Sequence, residues 1–320
     1  MTQSVLITGG LGYVGGRVAR ELSKNKQFDL AVTTRNPATA GLPEWLSKEQ
    51  CKKLDMLDGE SISNVCKDTD IIIHFAALNE IDSVTDPESA LLINTLGTLK
   101  LVNAAKKAGV KKFIYFSTAH IYRSPLVGFI SEASVPRPVH PYAITHRAAE
   151  DFVLSSNTEK KMTGIVLRLS NSIGAPISTR VNRWSLAGND LCRQVITSRE
   201  IRLKTPGLQK RDFIALTDVA RAVSHMIHLP ESSVGDGIFN LGGENVLSIF
   251  ELAARIQKRS ARLLGFNPPI VKPELLTTDK AEELAYSIGK LKSTGFTLQG
   301  DLDLEIDETL LFCKEHVKEL

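Results

Sequence analysis

The chain has 320 residues, 42% hydrophobic and 23% charged, the balance of an ordinary globular protein with enough chain for a substantial core. Its 39 basic and 36 acidic residues leave a formal charge of +3, too even to point to nucleic acid as a partner. Cys51, Cys66, Cys192 and Cys313 form no Cys-x-x-Cys pair and no stretch reaches the length of a membrane span, so a zinc site, a disulfide framework and a membrane role are not expected, and a reducing cytoplasm is the simplest setting.

Taken in chain order, "SVLITGG" is a short apolar run ending in glycines and predicts a buried strand. In "YVGGRVARELSKN", Val14, Val18 and Leu22 share a helical face. "DLAVTTR" predicts a second strand, "CKKLDMLD" a third and its end, "SISNVCKDTD" a short helix and "IIIHFAAL" a buried strand. The stretch from Asp86 to Val110 predicts one long amphipathic helix, with Asp86 as cap, Pro87 in the first turn and Gly109 as its end. "KKFIYFSTAHIY" predicts a strand and its exit, "HPYAITHRAAEDFVLSS" a helix and "MTGIVLRLSNSIG" a strand. The short lysine runs "KNK" and "KKAGVKK" are expected as solvated helix ends.

This alternation predicts βαβ units and a parallel sheet. It weakens after about residue 172, where "GAPISTRVNRWSLAGND" looks loop-like, followed by helix "DLCRQVITS", strand "IRLKT", and the segment "KRDFIALTDVARAVSHMIHL". The expected fold is therefore α/β: a doubly wound, Rossmann-type parallel sheet over 1–172 with a return excursion around 208–242. A smaller mixed lobe, from 173–207 and 243–320, is expected to bind substrate.

The loop "ITGGLGYVGG" places Gly9, Gly12 and Gly15 three apart between a strand and a helix. Glycines there permit a tight turn and leave no side chain between backbone amides and a pyrophosphate, while the helix N-terminus adds partial positive charge. Gly9, Gly10, Leu11, Gly12, Tyr13, Val14 and Gly15 are thus the expected dinucleotide loop. At the end of the second strand, where an acidic residue would hold ribose hydroxyls, stand Thr34 and Arg35. A guanidinium pairs with a 2′-phosphate, so NADP(H) is expected in preference to NAD(H). The alternative is that Arg35 stacks on adenine or lies in solvent.

With these residues in view, the chain resembles the short-chain dehydrogenase/reductase superfamily, in its extended epimerase/dehydratase branch acting on nucleotide sugars. The resemblance runs through "TGGLGYVGG", "LDMLD", "IIIHFAAL", the helix-then-strand stretch ending in "FSTAHIY", "PYAITHRAAE", "LRLSNSIGAP" and "KRDFIALTDVARA", in that order. It implies that Asp55 and Met56 contact adenine, that Phe75, Ala76 and Ala77 line the cofactor cleft and that Asn94 supports the site from the cofactor side. Thr118, with Ser117 beside it, would hydrogen-bond the reacting sugar oxygen, and Tyr142 would exchange a proton with it. Asn171 and Arg211 would hold the nucleotide diphosphate of the substrate, with His120 nearby at the strand exit. A homodimer through the helices "ESALLINTLGTLKLVNAA" and "YAITHRAAEDFVL" is implied as well.

One position departs from the resemblance: where the family carries lysine four residues after the tyrosine, this chain has His146. A free tyrosine titrates near 10 and is a poor base at neutrality unless a positive charge is near. Three readings follow. His146 takes over both charge and ribose grip; or it grips ribose only while Arg147 or the cofactor supplies charge; or catalysis is lost and the chain is a non-catalytic, cofactor-binding redox sensor. His120 is an additional acid or base, or a histidine bonded to a loop. His74 is expected to be structural, and His225 and His228 lie on a predicted helix with no metal nearby. Dehydratases of the branch carry an acidic pair where this chain has Ala119 and His120, which disfavours dehydration. A keto-sugar nucleotide reductase using NADPH is slightly preferred, with an NAD-dependent 4-epimerase as the alternative.

Overall fold

Runs such as Val5-Leu6-Ile7 and Ile71-Ile72-Ile73 are apolar at every position because both faces of their strands are covered. In the computed structural model, which describes residues 2–39, 41–276 and 280–319, side chains alternate across these strands. Val5 and Ile7 enter one core with Val32, Ile73, Ile114 and Ile165, against the helices Tyr13–Leu22 and Leu216–His228. Leu6 enters another with Ile72, Phe113, Tyr115 and Val166, against the helices Gly59–Cys66, Thr98–Ala108 and Pro141–Glu159. Met1 and Leu320, the outer bounds of the two expected domains, lie outside the described residues.

The main sheet has seven strands, ordered Ile238–Leu241, Thr163–Leu169, Lys112–Thr118, Ile71–His74, Gln3–Thr8, Phe28–Thr34, Cys51–Lys53. Every pairing in it is parallel, so the doubly wound α/β architecture is the one observed. The winding reverses between Gln3–Thr8 and Ile71–His74, whose ends bring Thr8 beside His74. A crevice forms beyond the strand ends at such a reversal, and the glycine loop, Phe75 and Thr118 all leave the sheet at this edge.

A separate core of Ile173, Trp184, Leu191, Phe213, Leu252, Ile256, Leu302 and Leu310 holds the helices Ala187–Thr197, Ile249–Leu264 and Leu302–Glu315 together. Within 208–242, the strand Lys210–Ala215 pairs with Asn171–Ile173 and Asn245–Ser248 in a three-stranded sheet. The strand Ile238–Leu241 rejoins the main sheet, and the helix Leu216–His228, with Ile214 before it and Leu229 and Val234 after it, packs into that sheet's core. Ile288, Leu291 and Phe296 also pack into that core. The strand expected in "IRLKT" is just Ile201–Arg202, paired with Ile270–Val271. Gly128–Ile130 pairs with Leu284–Tyr286, a contact between segments so distant that no local pattern foretells it.

Two local expectations are corrected. Lys112 is not a solvated helix end: it is buried, and its Nζ donates to the carbonyls of Met226, Ile227 and Leu229 at 2.9, 2.7 and 2.9 Å. It thereby closes the C-terminus of a helix that has no glycine cap. The long helix is not continuous either. Asp86 caps it by accepting from Ser89 N–H and Gly109 ends it with φ of 80°, but Leu91–Gly97 is a π-helical turn between Pro87–Ala90 and Thr98–Ala108. The wider turn seats two adjacent polar residues inward. Asn94 accepts from Leu78 N–H at 2.7 Å and donates to Thr145 Oγ1 at 3.1 Å, and Thr95 Oγ1 donates to Thr145 O at 3.0 Å. These bonds tie the loop after the fourth strand to the helix that carries Tyr142.

That helix is anchored from below by a buried ion pair. Arg168 donates to both carboxylate oxygens of Glu150, at 3.1 and 2.7 Å, and to Tyr122 Oη at 2.8 Å; both charged side chains are at most 2% exposed.

Candidate active site

The glycine loop closes on itself: Gly12 N–H donates to Gly9 O at 2.9 Å, and Gly9 has φ of 68°. A Cβ on Gly15 would lie 2.4 Å from Gly9 O, so a side chain there would force loop and helix apart. Gly12 is the N-cap of Tyr13–Leu22 and contributes no side-chain hydrogen bond, which leaves the first N–H groups of the helix free for an anion. This cradle, which a Cβ would fill, fits a dinucleotide phosphate.

From the loop a cleft of about 590 Å³ runs across the strand ends. Its floor carries Phe75 and Phe116, stacked at 4.0 Å between ring centres. Ser117, Thr118, His120, Tyr142 and His146 line it, with Asn171 and Arg211 on the lobe side. Thr118 ends its strand and accepts from His120 N–H at 3.2 Å. Tyr142 sits in the first turn of its helix, where its N–H donates to His140 Nδ1 at 3.3 Å. Burial, reinforced by the Glu80 carboxylate and opposed by Arg183, pushes its phenol up to about 12, which favours the protonated hydroxyl at neutral pH. Among the described residues Ser117 Oγ is buried without a partner, and Asn171 Nδ2 donates to Asp212 O at 3.1 Å.

His146 is 3% exposed, and its Nδ1 lies 2.6 Å from Tyr115 Oη. The Tyr142 ring meets it edge-on at 4.4 Å. Burial pushes the imidazole down to about 4, against a smaller upward push from the Phe116 carbonyl. Burial thus disfavours the charged ring, which argues against the reading in which His146 replaces both the charge and the grip of a lysine. Arg147 does not supply it either, because its guanidinium is paired with Asp151 and lies 3.5 Å from Glu150.

A family model described as the NAD dependent epimerase/dehydratase family matches residues 5–242. The chain belongs to this family. The dTDP-D-glucose 4,6-dehydratase of Mus musculus is 29% identical over 269 residues, 79% of this chain and 71% of that protein. The UDP-glucose 4-epimerase of Rhizobium leguminosarum bv. trifolii is 28% identical over 279 residues, 81% of this chain and 83% of its own. The solved UDP-glucose 4-epimerase of Thermotoga maritima, with UDP-glucose, has the same fold, with a TM-score of 0.80 at 22% identity over 98% of this chain and 100% of that one.

Of the remaining residues expected from the family's motifs, Tyr13, Val14 and Ala77 line the cleft and the others lie off it. Gly10 faces Val32, which a Cβ would meet at 2.8 Å, and Leu11 packs on the main core. Tyr13 borders the cleft, but its hydroxyl donates to Gly174 O and Asn189 Oδ1 at 2.9 and 3.0 Å, pinning the glycine loop to the lobe. Asp55 Oδ1 accepts from Leu57 N–H, and Met56 is buried against Gly97. Ala76 N–H donates to Thr8 Oγ1 at 3.3 Å, Ala77 and Val14 line the cleft, and Arg35 is exposed just past the second strand. Asn94 stands behind the wall in the bonds described above. His74 is fully buried between Thr8 Oγ1 and Thr98 Oγ1. His225 bonds Thr294 and His228 bonds Ser224 O. Among the described residues no group of three or more His, Cys, Asp or Glu could hold a metal, and no helix is long and apolar enough to cross a membrane. All four cysteines are buried free thiols.

Sequence reasoning missed the ion pair that flanks the cleft. Arg183 Nη2 donates to Glu80 Oε2 at 2.8 Å, and Ser185 Oγ donates to Glu80 Oε1 at 3.2 Å. One partner begins the helix after the fourth strand and the other comes from the loop of the lobe; they stand 103 positions apart, and no periodicity links them.

The neutral histidines set a pH dependence. Burial pushes His74 down to about 3 and His146 to about 4, whereas an unfolded histidine titrates near 6.5. Below that value the unfolded chain binds more protons than the folded one, so stability is full above about pH 6.5 and falls as pH drops toward the folded values. Each ring withdraws roughly 2 kcal/mol by pH 5. Thermal midpoints at pH 7 and pH 5 check this, and the gap between them should shrink in His146→Gln. A gap of unchanged size in that variant would mean that His146 titrates in the native protein as it does in the unfolded chain.

Proposed function

We propose that the chain is an enzyme that binds a pyridine nucleotide along the glycine loop and moves hydride at a sugar carbon of a nucleotide sugar, with C4 the expected position. The observation that carries this reading is convergence: one cleft is lined by Gly9, Gly12 and Gly15 at one end, Thr118, Tyr142 and His146 in the middle, and Asn171 and Arg211 on the lobe side. When bound, the nicotinamide supplies the hydride acceptor or donor. Tyr142, kept protonated by burial, gives its proton to the sugar oxygen as carbon gains hydride, and recovers it in the reverse direction. Thr118 offers a hydroxyl to the same oxygen. Arg211 and Asn171 offer a guanidinium and an amide to the diphosphate. The names of the relatives, which specify dTDP-D-glucose and UDP-glucose, support a nucleotide sugar as substrate.

Incubation with UDP-glucose and related nucleotide sugars, with reduced nicotinamide followed by absorbance and sugars by chromatography, tests the reading. Hydride exchange supports it; tight cofactor binding with no exchange on any sugar would leave the non-catalytic sensor. Exposed Arg35 supports NADP(H), and with it net reduction of a keto sugar. Relatives named as 4-epimerases support a second reading, C4 epimerisation with the cofactor recycled. Consumption of one cofactor per product separates the two. Arg35→Ser is expected to weaken NADPH binding about tenfold or more, the worth of a lost charge-assisted pair, with NADH unchanged; fluorescence titration reads both, and parallel affinities would remove the preference.

The reading includes a homodimer. Leu91, Leu92 and Leu96 are 54%, 43% and 37% exposed on the π turn, and Ile144 is 48% exposed on the helix beside it. An apolar patch of this kind supports pairing with a second copy. Multi-angle light scattering is expected to return twice the chain mass.

A further inference from the structure

The structure assigns Tyr115 a task in this site: its phenol donates to His146 Nδ1, which places the ring proton on Nε2 and offers that N–H from the cleft wall to a hydroxyl oxygen. The inference rests on the reading of the cleft as a pyridine-nucleotide site, and identifies the group gripped as a sugar hydroxyl of that nucleotide. A neutral N–H suits a hydroxyl acceptor, whereas a phosphate calls for charge.

The direction of the bond follows from what surrounds it. Tyr115 Oη and His146 Nδ1 are 2.6 Å apart, both side chains are buried, and the rings lie stacked at 27°. Tyr115 also stands 5.6 Å from the His74 ring, but both nitrogens of His74 are taken, by Thr8 and Thr98. Among the described residues Nδ1 of His146 is therefore the acceptor left to the phenol. Were Nδ1 protonated, the phenolic O–H would be a buried donor with nowhere to go. A phenolic O–H is also a better hydrogen-bond donor than a neutral imidazole N–H, and it is a weaker acid than imidazolium, so the proton stays on oxygen and points to nitrogen.

The other ring nitrogen supplies an independent observation. Among the described residues His146 Nε2 is buried without a hydrogen-bond partner, although the Phe116 carbonyl lies near the ring, and the residue itself lines the cleft. Buried polar atoms without partners are exceptions, and the Tyr142 ring holds this one in place from the side. Tyr115 and His146 together thus present one aimed donor where the lysine of the family's motif would present a charged one. Tyr115 does not touch the nucleotide; it is a positioning residue.

Long-range proton–nitrogen spectra of the whole, cofactor-free protein labelled with ¹⁵N-histidine decide the point, with the His146 signals assigned by their loss in His146→Gln. The expected wild-type ring at pH 7 is neutral, with its proton on Nε2. In Tyr115→Phe the ring becomes a mixture of tautomers, and affinity for NADH and NADPH, read by fluorescence, falls roughly five- to tenfold, the worth of one aimed hydrogen bond. A proton on Nδ1 in the wild type, a charged ring, or a tautomer indifferent to Tyr115→Phe overturns the assignment. If Tyr115→Phe does not fold, the wild-type spectrum still decides the direction of the bond. Failure of wild-type protein to bind either nucleotide would instead overturn the cofactor reading and the hydroxyl grip, while the spectrum continues to report on Tyr115.

Discussion

Tyr142→Phe is expected to lower turnover about 10³-fold, as loss of a positioned proton donor does, while NADH and NADPH bind within about twofold of wild type, since one remote hydroxyl adds little to a cofactor interface of this size. The ring, its edge-on contact with His146 and the helix start all survive the substitution, because Tyr142 is held by its backbone N–H to His140 and by packing. Only the hydroxyl is lost. Stopped-flow measurement of hydride transfer, beside equilibrium titration of the nucleotide, separates the two quantities. Wild-type rates in the variant would mean that another group moves the proton, and His120 would be the first to examine. Its ring lines the same cleft, burial and the Arg211 charge pull it down toward the neutral base, and among the described residues its Nδ1 is buried without a partner.

Glu150→Ala is expected to destabilise the protein by about 3–5 kcal/mol, the usual cost of leaving a buried charge alone. Arg168 would keep its bond to Tyr122 but lose the carboxylate that satisfies two of its donors. The damage should reach the site, because Glu150 lies two turns along the helix that presents Tyr142 and His146. Chemical unfolding reads the loss. Replacing both partners, as Glu150→Leu with Arg168→Met, should recover most of it, since the desolvation cost disappears with the charges. A double variant as unstable as the single one would mean that the guanidinium is needed by Tyr122 more than by Glu150. That outcome would move the anchor of the helix to the hydroxyl network around Asn240, which accepts from Tyr122 at 2.7 Å and from Tyr286 at 3.1 Å.

Legibility in the sequence tracked locality. The strand–glycine loop–helix unit, the capping Asp86, the terminating Gly109 and the spacing of Tyr142 and His146 are patterns within a few turns of chain. Each could be read because backbone geometry and neighbouring side chains decide it. The apolar strands announced a sheet covered on both faces for the same reason. Where the reading slipped, the cause was distance along the chain. Lys112 looks like one more solvated lysine until the carbonyls of Met226, Ile227 and Leu229 close around it. The π turn at Leu91–Gly97 follows from Asn94 and Thr95 finding Thr145, some fifty positions away.

The candidate site divides along the same line. Residue types and their order by themselves determined a doubly wound α/β domain, a glycine loop between strand and helix and the family's tyrosine and threonine, because these depend on local spacing. Only the tertiary structure decided the state of those groups. Burial by the fold pushes the His146 ring toward its neutral form, Tyr115 from a neighbouring strand comes against its Nδ1, and Glu80 meets Arg183 because the lobe folds over the sheet edge. Charge state and hydrogen-bond direction are set by desolvation and by partners brought in from elsewhere in the chain, and these exist only once the chain has closed on itself.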